Sequence, residues 1–449
     1  MKYYLAIDIG ASSGRHIIGY LDNDELKLEE IYRFKNGPKE MDGHLVWDID
    51  YLFNEVKTGI KEALKKYSKI ESMSIDTWGC DYVLLNSDET IYPVYAYRDS
   101  RTEDAVNKAS NLMKYEEMYK ITGCQFQVFN TVFQLFSDKI KGRLDKATDF
   151  LMIPEYLMYK LTGIKMHEIT NASTTGLFDY KKKEYSKEII SKLGLKESLF
   201  KKVYGSYEKV GYFTKEIESE VGGNILVRLC ATHDTGSAVE GIRLKDNSIY
   251  ISSGTWSLLG TKRNELLVSD KGYKYNYSNE LGPNYVRFQK NIMGLWITQN
   301  LKKEFNKDFI ELAKMASNSS YNEIYDVNDD RFFSPNDTKD SIIGYFKDNN
   351  MPLPENDNDI IRTTYRSLAY SYKKAIEELE EITNNKYDNL YIVGGGAQNK
   401  FLNNSINEFI KDKEIIILPI EATSIGNINV QMEANKWEKR LKIYLKVME

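Results

Sequence analysis

Residues 8–15, Asp-Ile-Gly-Ala-Ser-Ser-Gly-Arg, put an acid inside an apolar run and follow it with residues too small to obstruct a backbone. A phosphate chain lies against backbone N–H donors only where nothing much bulkier than serine surrounds them. Gly10 and Gly14 supply backbone freedom, Ser12 and Ser13 hydroxyl donors, and Arg15 a charged fork. Asp8 stands where an acid would meet a phosphate-bound metal. The plain alternative is an edge strand, a hairpin turn and a surface arginine. Three further clusters of small polar residues interrupt the patterning, at 233–237, 252–257 and 394–399. In "ATHDTGSA", Asp234 stands where a strand gives way to a helix, either as a cap or as a general base toward a hydroxyl. His233 beside it is either a donor to a hydroxyl or a structural histidine. "TWGCDY", residues 77–82, combines an aromatic, a glycine and an acid, as polyol sites do and as a buried tryptophan beside a hairpin also does.

The elements that must position these residues follow from periodicity. "YYLAIDI", "RHIIGYL" and "LKLEEIYRF" read as strands separated by the turn compositions "GASSG" and "DNDE". "FNEVKTGIKEALKKYS" has helical spacing, and "IESMSIDTWGCDYVLLN" reads as strand, turn, strand. A helix-rich stretch follows from about 102 to 205. The plan then begins again. "NSIYISSGTWSLLGTK" is an apolar run, a small-residue loop and a second apolar run, with Gly254-Thr255 standing where Gly10-Ala11 stood. "TTYRSLAYSYKKAIEELEEIT" predicts a helix, "NLYIVGGGAQN" a strand ending on glycines, and "KFLNNSINEFI" a helix. The expectation is an α/β protein of two halves, 1–240 and 241–449, changing over near 238–246 through a short connection.

Bulk properties narrow the function. A chain of 449 residues exceeds one ordinary core. A net charge of −5 argues against a broad basic surface for nucleic acid. Cys80, Cys124 and Cys230 show no paired spacing, and His16, His44, His167 and His233 no metal-ligand spacing. An acid at position 8 comes too early for a signal peptide, and no apolar run is long enough for a membrane span, so a cytoplasmic protein is expected. The absence of any Gly-Lys dipeptide excludes a P-loop. Asn399, where a dinucleotide fingerprint wants Gly or Ala, argues against a nicotinamide-dependent dehydrogenase.

With these residues in view, the chain resembles the FGGY family of carbohydrate kinases. "DIGASSGR", "SIDTWGCDYVLL", "AYRDSRT", "ITNASTTGLFD", "ATHDTGSAV", "YISSGTWSLLG", "KNIMGLW", "IVGGGAQN" and "EATSIGNI" carry the resemblance from about residue 3 to residue 435. It implies the two-domain actin-like, sugar-kinase and Hsp70 ATPase fold, with ribonuclease H-like domains, mixed sheets flanked by helices, and a cleft between. It implies transfer of the ATP γ-phosphoryl group, with Mg²⁺, to the 1-hydroxyl of L-rhamnulose, with no nucleic-acid or membrane partner. By position, Asp234 matches the catalytic base, and Ala11, Ser12, Ser13, Gly14 and Arg15 match the first nucleotide-phosphate loop. Thr255, Gln299, Gly395 and Gly396 match nucleotide contacts, and Gly79, His233, Asp234, Thr235 and Asn291 match sugar contacts. Asp8 matches the acid that meets the metal through water. Cys80 and Tyr82 depart from the Val and Phe common in the family. Other sugars of the family (xylulose, ribulose, fuculose, glycerol) and a non-enzymatic ATP-binding switch are the competing readings.

Overall fold

The computed structural model describes residues 1–333, 335–418 and 421–448, with side chains as far as 436. The chain forms two compact units. The first comprises residues 1–242, 264–287 and 423–449, and the second 243–263 and 288–422. The crossing falls between Ile242 and Arg243, and two later stretches return to the first unit.

In the first unit the opening residues form β1 (Tyr3–Ile9), β2 (Ser13–Asp22) and β3 (Glu25–Lys35), followed by helix α1 (Ile49–Lys66) and β4 (Ile70–Thr77). Later come β5 (Lys209–Tyr212) and β6 (Leu226–Arg228), giving the sheet order β5-β6-β4-β1-β2-β3. β1 is antiparallel to β2 and parallel to β4, and every residue from Tyr4 to Ile9 is buried. A near-continuous apolar run is what a strand covered on both faces requires; Asp8 is its one acid. α1 starts at Asp48, whose carboxylate accepts from Tyr51 N at 3.0 Å. It buries Ile49, Leu52, Val56, Ile60 and Ala63 at helical spacing. Gly59 lets that helix close on the sheet, because a Cβ there would lie 2.4 Å from the His16 ring. Burial pushes His16 down to about 4, so it is a neutral core group bonded to Val56 O, not a ligand.

The stretch from 102 to 205 is helix-rich as expected, with helices at Glu103–Ser110, Tyr115–Thr122, Thr131–Ile140, Ile153–Thr162 and Lys187–Leu193. The returning segment 264–287 is stitched to it by backbone and side-chain bonds: Asn279 N donates to Gly123 O (2.8 Å), and Leu281 N to Ser173 Oγ (2.9 Å). The other return is the last helix, Ala422–Met448. Its Ile428 and Met432 pack on Tyr4, Ala6 and Ile17. Its fully buried polar residues lace onto the central strands. Gln431 Nε2 donates to Leu5 O (3.0 Å), Ser72 Oγ to Gln431 Oε1 (2.7 Å), and Asn427 Nδ2 to Asp76 Oδ2 (2.5 Å).

The second unit repeats the plan. β7 (Ser248–Ser253) and β8 (Trp256–Arg263) form a hairpin, and β9 (Val286–Met293), β10 (Asn389–Val393) and β11 (Glu414–Ile417) extend it in the order β9-β8-β7-β10-β11, with the short strand Ser278–Leu281 beyond β9. β7 is antiparallel to β8 and parallel to β10, as β1 is to β2 and β4. Among the described residues no helix is long and apolar enough to cross a membrane.

Candidate active site

In the first unit the ladder itself assembles the acids. Asp8 on β1 is the register partner of Arg15 on β2 and of Asp76 on β4. Arg15 Nε (3.0 Å) and Nη2 (2.8 Å) both donate to Asp8 Oδ2. The guanidinium is thus shared with Asp8. The turn between the strands is closed by Gly10 N donating to Ser13 O (2.9 Å). Asn36 pins it, its N donating to Ser12 O (3.1 Å) and its Nδ2 to Gly10 O (2.8 Å). Ser12 is exposed at its tip, with Ala11 and Ser13 half-buried and Gly14 buried.

Asp234 opens a helix at Asp234–Glu240. The approach to it is held against β4, Thr77 N donating to Thr232 O at 2.9 Å. Asp234 Oδ1 accepts from Thr235 N (2.5 Å) and Thr235 Oγ1 (3.2 Å). His233 Nε2 stands 3.6 Å from the same oxygen, and 30% of the Asp234 side chain stays open to solvent. Burial of the rest raises its pKa, His233 opposes, and the charge of Asp8 adds to the rise. Gly79 borders this group: a Cβ there would lie 3.3 Å from Thr174 Oγ1 and 3.4 Å from His233 Nε2.

The backbone here rests on Glu168, which sequence reasoning missed. Its Oε2 accepts from Thr170 N (2.9 Å), Thr170 Oγ1 (2.5 Å) and Thr232 Oγ1 (2.7 Å), and its Oε1 from Ser206 Oγ (2.6 Å). Thr170 Oγ1 in turn accepts from His233 N at 3.1 Å. A buried carboxylate satisfied this fully rigidifies what it holds.

Asp76 was also missed, although it is an acid inside an apolar strand exactly as Asp8 is. Burial, then the charge of Asp8, holds its pKa well above the usual carboxylate range against the Asn427 hydrogen bond. Because the folded-state pKa is the higher one, the unfolded chain loses this proton first, and stability falls as pH rises from about 4. Asp76→Asn keeps an oxygen for Asn427 and removes the titration. Its melting temperature relative to the parent is therefore expected to climb as pH is raised across that window. A difference that stays flat with pH would contradict the assignment.

The tryptophan of "TWGCDY" is not an open platform for a sugar. Trp78 is buried, its ring 4.2 Å from that of Trp47, and both indole N–H groups donate to Asp81 Oδ2. Burial pushes Asp81 up to about 6 despite these bonds. Cys80, with a φ of 74°, holds a strained left-handed turn between Gly79 and Asp81. The Tyr82 hydroxyl, which Phe lacks, is taken up inside the fold by Asp138 Oδ2 at 2.6 Å.

The second unit gathers its own set. Gly254 N donates to Trp256 O (2.9 Å), Leu295 N to Gly254 O (2.9 Å), and Trp296 N to Thr255 O (3.2 Å). The loop is thereby seated on the first turn of the helix Trp296–Glu304, where Gln299 Nε2 reaches Thr255 Oγ1 at 3.4 Å. β10 ends beside it. Gly394 has φ 86°, and a Cβ there would meet Ser253 O at 2.6 Å; one on Gly396 would meet Ser253 Oγ at 2.0 Å. Gly395 differs from both: it is exposed, with nothing within 4 Å of where a Cβ would stand. Gly396 lies tightly against Ser253, and Gly395 presents open backbone. Asn291 is half-buried on β9, in this unit, whereas Gly79, His233, Asp234 and Thr235 share the other.

Among the described residues no cluster of three or more His, Cys, Asp or Glu is arranged to hold a metal by itself. Mg²⁺ needs no such cage when it arrives on phosphates, since one or two carboxylates and water complete its shell. The donor chemistry of Asp8 fits that requirement.

The two mixed sheets and the duplicated small-residue hairpins define an actin-like, sugar-kinase class of fold. Residues 3–241 match the FGGY family of carbohydrate kinases, N-terminal domain, and residues 249–434 the C-terminal domain. The chain belongs to the FGGY family of carbohydrate kinases. A rhamnulokinase of Oceanobacillus iheyensis is 42% identical over 96% of this chain and 93% of its own length. One of Bacillus subtilis is 36% identical over 98% and 92%. A ligand-bound xylulose kinase from Lactobacillus acidophilus shares the fold, with a TM-score of 0.78 at 15% identity over 97% of this chain and 90% of that one. So does a Plasmodium falciparum glycerol kinase with ADP, with a TM-score of 0.74 at 16% identity and the same coverage. The actin-like sugar-kinase fold expected from the sequence is the fold observed.

Proposed function

We propose that this protein transfers the γ-phosphoryl group of ATP to the 1-hydroxyl of L-rhamnulose, in the cytoplasm. The observation that carries the reading is near-full-length identity of 35–42% to rhamnulokinases. Supporting it are a half-buried acid of raised pKa beside a histidine and a threonine hydroxyl, and an exposed glycine turn in the second unit. Residues 1–240 carry the sugar site and the first phosphate loop, and 241–449 the nucleotide site.

The chain's own part in the chemistry is positioning and proton acceptance. Asp234 takes the proton of the sugar O1–H as that oxygen forms its bond to the γ-phosphorus, and the bond to the ADP oxygen breaks. The raised pKa makes the ionised carboxylate a stronger base for this step. His233, Thr235, Gly79 and Asn291 receive the sugar. Residues 11–15, Thr255, Gln299, Gly395 and Gly396 receive ATP, their N–H and hydroxyl donors facing phosphate oxygens. Asp8 is the residue that would hold Mg²⁺, through water, and the ion would supply neutralisation of phosphate charge.

ADP release measured across L-rhamnulose, xylulose, ribulose, fuculose and glycerol tests the reading, with L-rhamnulose 1-phosphate as the expected preferred product. Preference for another sugar would overturn the substrate, and sugar-independent ATP turnover would overturn the kinase reading. Gly79→Ala crowds the His233 edge without demanding an unusual backbone, so the KM for sugar is expected to rise about tenfold with the KM for ATP unchanged.

A further inference from the structure

A neutral imidazole carries its proton on one nitrogen and accepts with the other, and the partner of one nitrogen decides the role of its opposite. His233 Nε2 faces the reaction side, between Asp234 Oδ1 and the edge of Gly79. Nδ1 faces inward, onto a buried pair that no part of the mechanism above employs: Arg287 Nη2 at 3.3 Å and Glu280 Oε2 at 3.4 Å. Arg287 and Glu280 are themselves 3.3 Å apart, with side chains 0% and 6% exposed.

The two neighbours pull the proton opposite ways. Glu280 would accept from an Nδ1–H, whereas a guanidinium has no acceptor and does not give up its proton in a protein. The Arg287 contact has the N–H direction of a hydrogen bond, and the Glu280 contact is an ion-pair distance without one. Glu280 neutralises the buried cation, which alone would be costly. Leu281 O fixes the plane of the fork by accepting from Nε (3.3 Å) and Nη2 (3.1 Å).

We propose that Arg287 is a positioning residue that sets the tautomer of His233, placing the ring proton on Nε2. The site then offers one donor, His233 Nε2–H, beside one acceptor, the Asp234 carboxylate. One sugar oxygen is held as an acceptor while the neighbouring hydroxyl surrenders its proton. The functional half of this inference rests on His233 being a sugar contact; the tautomer does not.

Long-range ¹H–¹⁵N spectra of the full chain labelled at histidine test it, with the His233 signals assigned by their loss in His233→Gln. The expected wild-type pattern is a protonated, pyrrole-type Nε2 and an unprotonated, pyridine-type Nδ1. A protonated Nδ1 in the wild type overturns the proposal, and that measurement needs no variant of Arg287 to fold. Arg287→Met is expected to protonate Nδ1 and raise the KM for sugar about tenfold. Arg287→Lys, which can still donate, is expected to restore both. An unchanged pattern in a folded Arg287→Met protein also overturns it. If the sugar panel fails while Nε2 carries the proton, the tautomer stands and the substrate reading falls.

Discussion

Asp234→Asn is expected to lower turnover with L-rhamnulose by roughly 10²–10⁴-fold, the usual contribution of a positioned general base. The amide keeps an oxygen for the Thr235 N–H and hydroxyl, so the helix start and the sugar KM are expected to stay near their parent values. The loss should appear in kcat. The pH profile supplies an independent check. Burial raises the pKa of Asp234, and only the ionised form accepts a proton, so activity falls as pH drops through that raised value. The acid limb of kcat/KM is therefore expected above the ordinary carboxylate range and is expected to vanish in the residual activity of Asp234→Asn. Near-parental turnover in the variant would remove Asp234 from the role.

Gly426→Ala is expected to cost about 3 kcal/mol or more of stability. Gly426 lies in the second turn of the last helix, where that helix meets the helix of Asp234. A Cβ there would stand 1.8 Å from Ser237 O and 2.7 Å from Gly241 N. Both are backbone atoms, so no rotamer relieves the overlap; either the last helix lifts from the sheet or the Asp234 helix shifts. Lifting would also strip Asn427 from Asp76 and Gln431 from Leu5 O. A lowered denaturation midpoint together with reduced kcat is the expected result. Gly205→Ala, where nothing stands within 4 Å, is the control expected to change neither.

Most of the candidate site was legible because it is made of local patterns. The run Tyr4–Ile9 reads as a doubly covered strand from its composition alone, and the small residues after it admit only a tight loop. Their recurrence at 252–257 announced the second hairpin, and the pairing of β7 with β8 and β10 repeats that of β1 with β2 and β4. Trp78 left two readings open that packing then separated: it is a buried ring and not a platform. Packing also makes His16 a core histidine and Gly395 the open member of its triplet. Arg15, read as a phosphate fork, has two of its N–H groups on Asp8.

By itself, then, the sequence determined the strands, the loops, the duplicated plan and the identity of Asp234 as the informative acid. These depend on side-chain period, turn chemistry and residue size, all of which act over a few neighbouring positions. Only the tertiary structure decided which distant groups face one another. "EATSIGNI" carries part of the family resemblance, but nothing local in it says that Asn427 meets Asp76 across 351 positions of chain. Glu280 and Arg287 look like the charges of a surface strand until the segment 264–287 returns to the first unit and buries them behind His233. A polar side chain carries no local mark of whether its partner will be water or another residue. Burial decides that, and with it the pKa of Asp76, the cost of a methyl at Gly426 and the direction of the proton on His233.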